Sequence, residues 1–166
     1  MRKFIFAPLF LLICLLVSNC SATGLIDCEG SFVYIPEDFS AEEQAWIEEG
    51  VLRWNVWVGH TVLKVRPGYL ESCSIHNGST NNLAAVGQEH EPTYVITIDK
   101  DHLRRIDQLN QDRFESVVMH ELGHALGYGH ILTGPALMAP SATSDFTDLD
   151  RDECIRHNMC AAANTD

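Results

Sequence analysis

The chain has 166 residues, enough for a single domain with a real core. It carries 23 acidic against 11 basic side chains, for a formal net charge of −12. This acidic balance argues against nucleic acid or an anionic membrane surface as a partner.

Residues 1–22 have the pattern of a secretory signal peptide. Two basic residues precede an apolar stretch over residues 4–17, which is short for a membrane span but typical of a signal core. Cleavage near Ala22 is one route. The residues before Cys20 also resemble a lipobox, so a lipoprotein signal ending before Cys20 is the alternative. Either route predicts an exported protein, secreted or held in the cell envelope by a lipid on Cys20, with residues 23–166 as one domain.

The remaining cysteines predict disulfides. They are even in number, as is usual in an oxidising compartment, and three pairings are possible. We favour two bridges: a local one that constrains the C-terminal helix, and a long-range one. These are Cys154–Cys160 and Cys28–Cys73.

The first half of the domain predicts a strand, a long helix and a second strand. The strand covers Phe32–Ile35, and the helix begins at a capping box formed by Ser40 and Glu43 and ends before Gly59. The next strand covers Thr61–Val65. Three tryptophans in the helix are interpreted as core packing rather than as an aromatic binding patch. The buried face of the helix has helical spacing and consists of Ile47, Val51, Trp54 and Val58.

Residues 69–91 are rich in Asn, Gly and Ser, with one apolar island at Leu83–Val86. The island is either an exposed edge strand that could hold an extended peptide or a loop tucked onto the core. A strand over Tyr94–Asp99 follows, and residues 101–110 predict a connecting turn or a short helix.

The next helix, from about Gln111 to Leu126, contains the candidate metal-binding and catalytic residues. His120 and His124 are four residues apart, so both can reach one zinc ion from the same face, with Glu121 beside them. His130 is too far along a straight helix, but Gly127 can adopt the left-handed conformation that ends the helix and turns the chain back. Three imidazoles with an open fourth position are typical of a catalytic zinc site.

A methionine turn follows at Ala136-Leu137-Met138-Ala139-Pro140. Together with the long zinc motif, this Met138 turn resembles the metzincins, and in particular the matrixin family of zinc peptidases. The resemblance implies an α+β fold with a twisted mixed sheet of four to five strands, two long helices, the Met-turn and a C-terminal helix capped near Thr147.

The resemblance implies a zinc-dependent endopeptidase that hydrolyses peptide bonds through a zinc-activated water. It assigns Glu121 as general base and one catalytic zinc to the three histidines, with Gly127 and Met138 as structural support. Its partners would be protein or peptide substrates, and the protein would be a monomer. Substrate contacts are expected at Leu83, Ala84, Ala85 and Pro140.

Several alternatives stay open. A non-catalytic zinc-containing accessory protein could keep the fold, although an intact Glu121 argues against it, and an aminopeptidase is a further option. Cys28 could be a free inhibitory thiolate on the zinc. The Gly-Asp-x-His-Phe-Asp loop of the better-known matrixins is absent before the zinc helix, so a structural calcium or second zinc remains undecided.

Overall fold

The computed structural model describes residues 31–66, 73–81, 83–90, 93–106, 109–141 and 145–160. The predicted signal segment and Cys28 lie outside these residues. The described elements, in chain order, are β1 (Ser31–Tyr34), α1 (Ala41–Val58), β2 (Leu63–Val65), β3 (Cys73–Asn77), β4 (Ala85–His90), β5 (Thr93–Ile98), α2 (Lys100–Arg105), α3 (Gln111–Ala125) and α4 (Asp148–Arg156).

The strands form one mixed sheet in the order β2-β1-β3-β5-β4. Strands β2, β1, β3 and β5 run parallel to one another, and β4 pairs antiparallel with β5 at one edge of the sheet. The α+β class, the mixed sheet and the two long helices agree with the sequence prediction.

Two parts of the sheet differ from that prediction. β3 lies within the polar stretch of residues 69–91, where the sequence predicts no strand before the apolar island. It forms because it is flanked on both sides, by β1 and by β5, so its backbone hydrogen bonds are satisfied by tertiary pairing. β4 begins at Ala85 and continues through polar residues to His90, beyond the apolar island.

The long helices α1 and α3 pack against each other. The indole Nε1–H of Trp54 on α1 donates to the carbonyl of Met119 on α3 over 2.8 Å, and Trp54 is fully buried. Trp57 stacks on Phe146 with the ring planes 6° apart. The tryptophans therefore serve core packing, as predicted, and α1 fixes the position of the helix that carries the histidines.

The C-terminal region is closed by a disulfide between Cys154 in α4 and Cys160. Cys73 is also disulfide-bonded, and the Cys28–Cys73 pairing stays a prediction because Cys28 is not among the described residues. Within the described part of the chain, no helix combines the length and apolar character needed to cross a membrane.

Candidate active site

The zinc motif lies on α3. The helix begins after Asn110, whose side chain accepts a hydrogen bond from the Arg113 backbone N–H over 3.0 Å. One helical turn separates His120 from His124, and their Nε2 atoms lie 3.1 Å apart. The helix thus holds two imidazoles side by side, as the spacing predicts.

The third imidazole arrives through a turn at the end of α3. Gly127 has a φ of 89°, in the left-handed region that favours glycine. The Tyr128 N–H donates to the Gly123 carbonyl and the Gly127 N–H to the His124 carbonyl, each over 2.9 Å. This pair of bonds is a Schellman motif. The chain reverses there, and His130 returns to face the other two histidines.

We expect Gly127→Ala to weaken the site without disturbing the rest of the fold. A Cβ in the left-handed region costs about 1–2 kcal/mol, and relaxing that strain moves His130. The midpoint temperature of thermal unfolding and the zinc affinity would both fall. Gly127→Asn should have a smaller effect, since Asn tolerates this conformation. Gly129→Ala is the matched control, because an added Cβ there meets no atom within 4 Å. Equal effects at positions 127 and 129 would contradict the argument.

Two of the imidazoles are oriented by main-chain carbonyls. His120 Nδ1 lies 2.7 Å from the Leu137 carbonyl, and His124 Nδ1 lies 2.8 Å from the Tyr128 carbonyl. A carbonyl can only accept, so both Nδ1 atoms carry the proton and both Nε2 atoms present a lone pair. Burial lowers the pKa of His120 to about 4 and also lowers the pKa of His124 and of His130. The rings are therefore neutral near pH 7, as metal ligands must be.

The three imidazoles fit a zinc ion. Their Nε2 atoms are 3.1, 3.1 and 3.3 Å apart. Nitrogen ligands at about 2.05 Å from a tetrahedral zinc would be about 3.3 Å apart. The lone pairs of His120 and His124 face each other at 3.1 Å, an arrangement that repels unless a cation lies between them. Within the described part of the chain, these histidines form the group suited to a metal ion.

The Met-turn lies beneath the histidines. Met138 is fully buried, and its sulfur occupies the space where a side chain on Gly123 would project. The Ile131 N–H donates to the Met138 carbonyl over 2.9 Å, which ties the segment after His130 to the same turn. The turn therefore contacts both the zinc helix and the chain that carries the third histidine.

Asp150 on α4 holds that turn in place, a role that sequence reasoning missed. It is fully buried, and its carboxylate accepts hydrogen bonds from the N–H groups of Leu137 and Met138 over 2.9 and 3.0 Å. It also accepts from the N–H and hydroxyl of Thr147, each over 2.8 Å. Because the Leu137 carbonyl orients His120, Asp150 supports the position of that imidazole through the turn.

Glu121 is buried beside the imidazoles, with 8% of its surface exposed. Burial raises the pKa of its carboxyl to about 7, against the opposing effect of a hydrogen bond from the Gly87 backbone N–H. A nearby dication would lower this pKa again. The structure thus places a buried carboxyl with a raised pKa next to the three histidines.

A cavity of about 410 Å³ opens above the histidines. It lies between β4 and α3, and the four predicted substrate contacts, Leu83, Ala84, Ala85 and Pro140, all line it. Val86, from the same apolar island, also lines it, together with Glu121 and the three histidines. The sequence analysis did not assign Gly87, Arg113, Val117 or Leu132 to the site. Arg113 and Val117 share a helical spacing with Glu121 and His124, but that spacing alone does not show that a cavity faces this side of α3.

The family model described as Matrixin matches residues 69–155, more than half of the chain. The match covers β3, β4, β5, the zinc helix, the Met-turn and nearly all of α4. Among curated proteins, none matches the chain.

Proposed function

Because the chain belongs to the matrixin family, we propose that it is a zinc-dependent endopeptidase that uses Glu121 as its general base. The observation that carries the proposal is the convergence of three neutral imidazoles within 3.3 Å, next to a buried carboxyl and at the base of a cavity. Export to the cell envelope or the exterior belongs to the same proposal and is supported by the signal-like N-terminus.

His120, His124 and His130 would hold the zinc, and the cavity leaves room for a substrate beside it. The chemistry that zinc would supply there is polarisation of a peptide carbonyl and a lower pKa of water. Glu121 accepts the proton of the attacking water and then passes it to the departing amine. Burial of Glu121 opposes the lowering of its pKa by a bound cation. This suits both steps, because a group that acts first as a base and then as an acid works best with a pKa near the working pH.

The β4 strand would hold the substrate. One edge of β4 pairs with β5, and β4 is the last strand of the sheet. Residues 85–87 of β4 line the cavity opposite α3. An extended peptide can pair with a strand edge through main-chain hydrogen bonds, which do not depend on sequence. This arrangement suits an endopeptidase that accepts many sequences.

We expect the purified protein to cleave casein, to lose essentially all activity when a chelator removes zinc, and to recover it when zinc is added back. Zinc content measured on the same samples checks that activity follows occupancy. Calcium or magnesium added back instead of zinc is the control and should restore nothing. Cleavage that persists in zinc-free protein would contradict the proposal.

The rival classes give different results in the same experiment. A non-catalytic accessory protein would bind zinc at the three histidines and hydrolyse nothing. An aminopeptidase would cleave peptides with a free N-terminus but not the same peptides after acetylation of that N-terminus. An endopeptidase cleaves both forms at an internal bond, which mass spectrometry of the products identifies.

A further inference from the structure

Arg113 lies in the same cavity as the zinc ligands. It is seven residues before His120 and eight before Glu121 on α3, so a helical period brings all three to one face. Val117 lies between them on that face. All four side chains line the cavity, together with the apolar residues of β4.

The charge of Arg113 sets it apart from the rest of the lining. Among the residues that line the cavity, Arg113 and Glu121 carry the formal charges, and the remainder are apolar residues and the three histidines. A protein of net charge −12 therefore has a positive group inside its cleft.

We propose that Arg113 determines substrate specificity by binding a carboxylate of the peptide. The inference rests on the proposed peptidase function and adds a substrate class to it. A guanidinium donates two parallel hydrogen bonds to a carboxylate, a fit that an amide of equal size cannot match. The partly buried, largely apolar walls of the cavity strengthen such an ion pair relative to bulk water.

The helix geometry limits where the carboxylate lies in the substrate. Eight residues of helix correspond to about 12 Å between Arg113 and Glu121 along the axis. An extended peptide advances about 3.3 Å per residue, and the side chains of both partners shorten the gap. The carboxylate therefore lies within about three residues of the bond that is cleaved. It can belong to an Asp or Glu side chain or to the C-terminus of a short peptide.

The experiment uses the zinc-loaded protein and internally quenched peptides. Paired peptides place Glu or Gln at each of three positions on either side of the cleaved bond, and a second pair ends in a free carboxylate or an amide. The first set tests a side-chain carboxylate and the second tests a terminal one. The enzymes compared are the unchanged protein, Arg113→Met, Arg113→Lys and Arg105→Met. Arg105→Met removes the same charge from α2, where the residue is exposed and outside the cavity.

We expect the unchanged protein to favour the carboxylate peptide at one position by about 10- to 100-fold in kcat/KM. Arg113→Met should lose this preference, so that the ratio of kcat/KM for the carboxylate peptide to kcat/KM for the matching Gln or amide peptide falls to about one. Arg113→Lys should keep part of the preference, and Arg105→Met all of it. Zinc content and the unfolding midpoint are measured for each variant. If Arg113→Met does not fold, Arg113→Gln replaces it in the same comparison.

Two results would overturn the inference and leave the peptidase intact. One is cleavage with no preference for a carboxylate at any position. The other is a preference that survives unchanged in Arg113→Met. If the zinc-loaded protein cleaves none of the peptides, and casein neither, the peptidase function itself fails and the role of Arg113 fails with it.

Discussion

Replacing Glu121 by Gln is expected to leave zinc bound and to lower kcat/KM for peptide hydrolysis by about two to four orders of magnitude. Gln has the same shape and can still accept the hydrogen bond from the Gly87 N–H, so the cavity keeps its form. It cannot accept a proton from water at neutral pH. The loss should appear in kcat rather than in KM, because proton transfer occurs only during the reaction.

The matched control for this change is Glu115→Gln. Glu115 lies on the same helix and is also buried, but it pairs with Arg53 over 3.3 Å and does not line the cavity. Its replacement should cost some stability and little activity. Zinc content is measured for both variants by elemental analysis. Normal turnover by Glu121→Gln in a zinc-replete sample would remove Glu121 from the mechanism and would favour a different proton acceptor.

The zinc helix could be predicted because its information is local. Two histidines one turn apart, and a glycine where the helix must end, determine which side chains meet whatever the rest of the chain does. The capping box at Ser40 and the left-handed Gly59, with φ 91°, set the limits of α1 in the same local way. These features follow from backbone geometry and hydrogen bonding within a few residues.

The parts that escaped prediction depend on distant partners. β3 contains few apolar residues in alternation and is a strand because β1 and β5 flank it. Asp150 is recognisable in the sequence as part of a helix start, but its carboxylate also binds backbone N–H groups 12 and 13 residues earlier. Arg113 has the helical spacing of a cavity residue, yet the spacing does not say that β4 leaves a cavity opposite that face. Each case is decided by tertiary contacts that the local pattern does not encode.

Asp150 provides the second large expected effect. We expect Asp150→Asn to lower the free energy of unfolding by about 2–4 kcal/mol and zinc affinity by about 10- to 100-fold. Every hydrogen-bond partner of Asp150 is a donor, so both carboxylate oxygens act as acceptors. Asn would replace one of these oxygens with an NH2 group, which cannot accept. At least one buried N–H of the Met-turn or of Thr147 then loses its acceptor. The turn shifts, and the Leu137 carbonyl no longer fixes the His120 ring.

Asp152→Asn is the control, since Asp152 lies on the same helix but is exposed. Chemical unfolding with and without zinc measures stability, and competition with a chromogenic chelator measures zinc affinity. The two readouts separate two roles of Asp150. A fall in stability with unchanged zinc affinity would mean that Asp150 only anchors α4. A fall in both, absent in Asp152→Asn, would mean that the C-terminal helix acts on the metal ligands through the Met-turn.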